Sequence, residues 1–206
     1  MGVVIVKDPS DFGKITHLVF ADPTPMRART FKALMGYNVT NNIVGRDWVF
    51  ACKDAGAIVP AEPFTVSFPN NMNSWFDINE TISNGIVSRE NGGLFNRLNV
   101  YIHPGTLLKG KTLDLSEVTA LIKAGGGNVV RMSHMQRCSV DHANSVIIVA
   151  DEDVTLKASF AYFMKSGGLI CTYHQFVRAI AHQSLGEIKS KRLATASEED
   201  GKSVYH

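Results

Sequence analysis

The sequence predicts an α/β protein made of one unit used twice. Three observations predict it. Short β-branched runs at 3–6, 43–44 and 129–130 alternate with stretches whose apolar residues recur at i, i+3 and i+4, the marks of buried strands and one-sided helices. The two halves also echo each other. Residues 16–22 (THLVFAD) match 145–151 (SVIIVAD), Trp48 matches Phe176, and Gly2-Val3-Val4 match Asn128-Val129-Val130. Their offsets agree within three residues, which a duplicated unit explains. Finally, 206 residues suit one or two small domains.

In the first half, residues 3–6 read as a strand buried on both faces. Residues 8–11 form a turn, and 15–20 the next strand, stopped by Asp22-Pro23-Thr24-Pro25. A helix from about Ala28 carries Phe31, Leu34 and Met35 on one face and ends at Gly36 as a C′ glycine. Residues 43–44 form a short strand. The following helix, from Asp47, turns Trp48, Val49 and Cys52 inward and stops at Gly56. Residues 58–60 close the unit, so the first unit spans 1–66.

Residues 67–93 are rich in Asn, Ser and Gly and read as a linker. Trp75, Phe76, Ile78 and Ile82 are too apolar for a free tether, so it packs across both units with a helical turn near 75–82.

The second unit spans 94–186. Its strands are expected at 98–102, 129–130 and 145–150. Asp114 or Ser116 caps a helix with Leu115, Val118, Leu121 and Ile122 on one stripe, and Gly125-Gly126-Gly127 end it. Another helix runs over 155–165. Ile170-Cys171 lead into a helix opened by a Thr172/Gln175 capping box, with Phe176, Val177 and Ile180 inside. Residues 187–206 are polar and expected as a disordered tail.

Net charge is only +2, which gives no electrostatic case for non-specific nucleic-acid binding. Three cysteines, Cys52, Cys138 and Cys171, lie far apart without CxxC, which argues against a disulfide framework or zinc site and for a reducing compartment. With no membrane-length apolar run and no leader pattern, a soluble intracellular protein is expected. Six of the seven histidines, from His17 to His182, show no ligand spacing, and no GxSxG or phosphate-loop motif occurs. Neither an enzyme nor a cofactor is expected.

One motif invites a ligand. In Arg29-Thr30-Phe31-Lys32, the apolar face leaves Arg29 and Lys32, three apart, as neighbours on the other side of the helix. Two cations at a helix opening add to the partial positive charge of its N–H groups. An anion, a phosphate in particular, is the natural occupant, although the spacing also fits two solvated surface charges.

A strand reading Thr16-His17-Leu18-Val19, RTxK at 29–32, a second strand and a helix carrying Trp48 resemble a BRCT repeat. The likeness covers both halves. It implies a head-to-tail pair of repeats, each a parallel four-stranded sheet of order 2-1-3-4 flanked by helices. It further implies a monomeric, non-enzymatic nuclear module that binds phosphoserine or phosphothreonine segments, in DNA-damage signalling, repair or chromosome-associated assembly. By this resemblance Lys32 grips the phosphate, Thr30 orients the turn and Arg29 holds the peptide backbone. The groove for flanking residues falls at Leu34, at Leu107 or Leu108, and at Arg178. Leu34 also reads as core, and Arg178 as an ordinary surface arginine. Phe160 or Ala161 stands where a second Lys32 would fall, so only the first repeat is equipped. The alternative is a phosphate-independent scaffold that binds protein or DNA between the repeats.

Two departures matter. Phe176 stands where the family has tryptophan, and nothing in the first unit matches 94–127. The first repeat thus lacks its opening strand and helix, including the Ser/Thr-Gly that completes the family's phosphate pocket. Residues 3–6 are left without their neighbouring strand, at a cost of roughly 1–3 kcal/mol per buried unpaired group. Either the natural protein begins further upstream, the favoured expectation, or part of the linker fills the gap.

Overall fold

The computed structural model describes residues 4–6, 9–24, 27–68, 77–103, 114–131, 142–149 and 158–189. In the second unit, strands β3 (Asn99–Ile102), β4 (Asn128–Val130), β5 (Ser145–Val149) and β6 (Leu169–Thr172) form a sheet of order β4-β3-β5-β6. All its pairings are parallel, and numbered within the unit the order is 2-1-3-4. Every residue of β5 is buried, as its unbroken SVIIV run requires of a strand covered on both faces. Among the described residues, the first unit pairs β1 (Leu18–Phe20) with β2 (Ile43–Gly45), also in parallel, and adds a single antiparallel bridge from Val44 to Thr65. Leu18 faces Ile43 in one unit as Ile147 faces Ile170 in the other.

The helices are α1 (Phe31–Val39), α2 (Arg46–Ala55), α3 (Ile78–Glu90), α4 (Leu115–Ala124), α5 (Ala158–Lys165), α6 (Tyr173–His182) and α7 (Gly186–Lys189). The expected end signals act as read. Asp114 caps α4 in a box with Glu117, Thr172 caps α6 in a box with Gln175, and Gly56 ends α2 in the left-handed region.

One core joins the units. Phe12, Leu34 and Tyr37 from the first pack in the same cluster as Val100, Leu121, Phe176 and Ile180 from the second. At its centre lies α1, where six consecutive residues from Ala33 to Asn38 are buried, as befits a helix enclosed on all sides. Inside the joint, the Asn38 amide donates to the Leu121 carbonyl (3.0 Å) and accepts from Gln183 (2.9 Å). Arg89 donates to the Tyr37 carbonyl at 2.7 Å. Helix α3 closes the joint on the α6 side. Thr81, Asn84 and Ser88, one helical face, donate to the carbonyls of Ala181, His182 and Gln183, which the end of α6 leaves unpaired.

Several expectations are corrected. Val4–Val6 form no strand, and Val4 and Ile5 are 85% and 76% exposed. In the second unit the matching strand β4 pairs with β3, and among the described residues the first unit has no strand in the position of β3. Helix α1 starts later than expected and runs through Gly36 to Val39. Gly36 is no cap: a Cβ there would lie 2.6 Å from Leu18 Cδ2, so glycine is what lets α1 lie against β1. Val49 is exposed rather than inward. The linker holds a full helix, α3, instead of one turn, opened by Asp77. The described part of that linker pairs with neither strand of the first sheet, and 69–76 lie outside the described residues. Residues 187–189, expected in the tail, belong to α7, and Ile188 is 2% exposed; residues 190–206 lie outside the described residues.

Candidate functional site

Thr30 sets the geometry of the RTxK element. It is the N-cap of α1, in extended backbone (φ −69°, ψ 154°). Its hydroxyl donates to the Arg27 carbonyl at 2.9 Å and accepts from the Ala33 N–H at 3.4 Å. With its proton committed to the turn, Thr30 is a positioning residue rather than a donor to a ligand. Lys32 is the second helical residue and exposed. Arg29 precedes the cap in a short 3-10 turn, Arg27–Arg29. The two cations therefore flank the cap instead of sharing one helical face. Among the described residues, no hydrogen bond reaches the N–H groups of Phe31 or Lys32, two of the donors that a helix start leaves unpaired.

These groups border an open cleft of about 620 Å³. One wall is β1 and its exit, Leu18 to Ala21; the other is Arg27 with Thr30 to Ala33, and Glu117 of α4 reaches it from the second unit. Lys32 and Arg27 make the wall at the helix start cationic. The cleft lies where strand β1 ends and α1 begins, and ligands of open parallel sheets bind at carboxyl ends of strands.

Arg29 points to a second locus. Its pKa is pushed below the ordinary arginine value by burial and then by the positive charge of Arg178, so the joint brings Arg29 and Arg178 together. Arg178 is half-buried and forked onto Glu187, Nε to Oε2 at 2.8 Å and Nη2 to Oε1 at 3.3 Å. Two guanidinium groups and the Glu187 carboxylate thus stand together between the units.

The expected site residues thus divide. Lys32 and Thr30 line the cleft, and Arg29 and Arg178 meet at the joint. Leu34 does not belong to a groove: it is 0% exposed, in the core shared by both units, because its helix is enclosed all round. Leu107 and Leu108 lie outside the described residues. Sequence reasoning missed two charged cleft residues, Arg27 and Glu117. Arg27 stood within reach, two residues before Arg29 in the same basic run. Glu117 carried no signal, because it comes from the other unit.

No model of a known protein family matches the chain, and no curated protein matches it in sequence. Among solved structures it is similar to the crystal structure of the BRCT5–BRCT6 domains of S. pombe Brc1. The two share a TM-score of 0.67 and 19% identity over 86% of this chain and 82% of that one. Likeness at this identity speaks for architecture, and it agrees with the complete sheet of the second unit and the joint built on α1. The chain adopts the tandem BRCT fold.

Proposed function

We propose that the protein is a non-enzymatic interaction module that binds a phosphorylated serine or threonine segment of a partner, with Lys32 and the first turn of α1 taking the phosphate. The observation that carries this reading is the cleft: an exposed lysine, a neighbouring arginine and a helix start with unpaired N–H groups share one concave surface. Phosphate carries nearly two negative charges and strong acceptor oxygens. At a helix start it gains charge-assisted hydrogen bonds and a favourable dipole. Arg29 and Arg178 hold the backbone of the bound segment at the joint. The setting proposed is the nucleus, in DNA-damage signalling, repair or chromosome-associated assembly.

The test is titration of an oriented phosphoserine/phosphothreonine peptide library against wild type and Lys32→Met. Loss of one charge-assisted phosphate contact lowers affinity roughly ten- to a hundred-fold. Binding that ignores both phosphorylation and Lys32→Met overturns this reading in favour of a phosphate-independent scaffold.

A further inference from the structure

The cleft beside Lys32 carries charges of both signs, and phosphate binding uses only one of them. Arg27 and Lys32 come from the first unit, Glu117 from the second. Their meeting follows from how two helices dock. Asn38 of α1 bonds the Leu121 carbonyl of α4, and Ala33 and Leu34 share one core with Val118 and Leu121. The helices thus run side by side in the same sense, and their first turns border the cleft together.

Glu117 is held in a fixed pose. It closes the capping box of α4: its Oε2 accepts from the Asp114 N–H at 3.0 Å, and its own N–H donates to the Asp114 carboxylate at 2.8 Å. That leaves the carboxylate charged and Oε1 available to a donor. The residue is half-buried, so solvent and salt screen it less than an open surface would. Among the described residues, Glu117 makes no ion pair, and neither do Arg27 and Lys32. Opposite charges line one cleft without closing on each other.

A lone anion suits such a cleft poorly, because a phosphate at Lys32 is repelled by Glu117. An occupant that carries a cation beside its anion satisfies both. An extended chain advances about 3.3–3.6 Å per residue, so a basic residue one or two places from the phosphate crosses a cleft of about 620 Å³.

We infer that Glu117 selects the partner segment by charge: it pairs with a lysine or arginine one or two residues from the phosphorylated one, and disfavours segments that are acidic there. The inference rests on the reading of Lys32 given above. Specificity next to the phosphate then belongs to the docked pair of units, because the cation site and the anion site come from different ones.

The test is titration of the full chain with threonine peptides, phosphorylated and not, that carry Lys, Ala or Glu at each of the two places on either side of the threonine. Wild type is compared with Glu117→Gln and Lys32→Met. Glutamine serves the same capping box and removes the charge, so the thermal melt of Glu117→Gln should match wild type. At one of the four places wild type should prefer Lys over Ala about fivefold, and Ala over Glu by a similar factor. Glu117→Gln should level all three, partly by tightening the Glu peptide, and the double-mutant cycle reads the coupling directly. If binding needs the phosphate and Lys32 but ignores charge at all four places, the role of Glu117 is overturned and the phosphate reading stands. A lysine preference that survives Glu117→Gln overturns it as well. If unphosphorylated peptides bind equally and keep the Glu117-dependent preference, the acidic subsite stands and the phosphate reading falls. No binding of any peptide overturns both.

Discussion

Strands β1 and β5 hold equivalent places and the same register against their neighbours, yet live in different surroundings. Strand β5 lies between β3 and β6 with all five residues buried. Among the described residues, strand β1 pairs with β2 and presents Val19 to solvent. The second unit stands on a complete sheet, with a separate core of Tyr101, Ile147, Val149, Phe160, Phe163 and Ile170 on its far face. Among the described residues, the first unit's separate cluster beneath α2 is smaller, Val44, Trp48, Cys52 and Ala61. That unit holds its shape chiefly through α1, which the second unit encloses. The first unit shares its central helix with its neighbour's core.

The largest test of that contrast is truncation at the matched position. Ile148→Ala, in a fully buried strand, should cost about 2–5 kcal/mol of stability in urea unfolding. Val19→Ala should cost about 1 kcal/mol or less, because the residue is already partly hydrated. Equal costs would mean that the edge of β1 is covered in solution.

A smaller effect sharpens the dependence of one unit on the other. Asn38→Ala removes two hydrogen bonds inside the joint, although the Leu121 carbonyl keeps the Gly125 N–H and the Gln183 amide keeps the Ile180 carbonyl. Loss of two buried hydrogen bonds should cost about 1–3 kcal/mol. Because α1 belongs to both cores, calorimetry should show one transition at a lower temperature. Two separated transitions, only one of them moved, would show that the units fold independently.

What the sequence revealed follows the same division. The second unit was legible almost throughout, because SVIIV, the two capping boxes and the glycine run are local signals that its complete sheet obeys. The first unit misled where a local signal needs a distant partner. Residues 3–6 have the composition of a strand, but composition supplies no neighbouring edge. Gly36 looked like a helix end because the Leu18 side chain that it accommodates is remote in sequence. Helix α3 was underestimated because its working face is polar, Thr81, Asn84 and Ser88, and binds carbonyls rather than a core. At the site, the RTxK element showed where cations would stand. That Arg29 meets Arg178 while Lys32 faces β1 depends on how the two units dock, which no local pattern encodes.

The smallest effect concerns His17, which stands where the second unit has the buried Val146. A titratable ring occupies that position in the open unit, stacked on Trp48 with centroids 4.2 Å apart and planes 19° apart. Partial burial lowers its pKa from the ordinary 6.5. A folded-state pKa below the unfolded one means that the unfolded chain binds the proton more readily. Stability is therefore full above about pH 6.5 and falls as the pH drops toward the folded value, whereas the matching position in the second unit, a valine, contributes nothing to this slope. Urea midpoints at about pH 7.5 and pH 5 should show a larger acid-side loss in wild type than in His17→Gln. The opposite sign would mean that the face of Trp48 holds the imidazolium by cation–π attraction strongly enough to outweigh its burial. An anion bound beside Lys32 would then gain a third cation, His17, one residue from Leu18 in the wall of the same cleft.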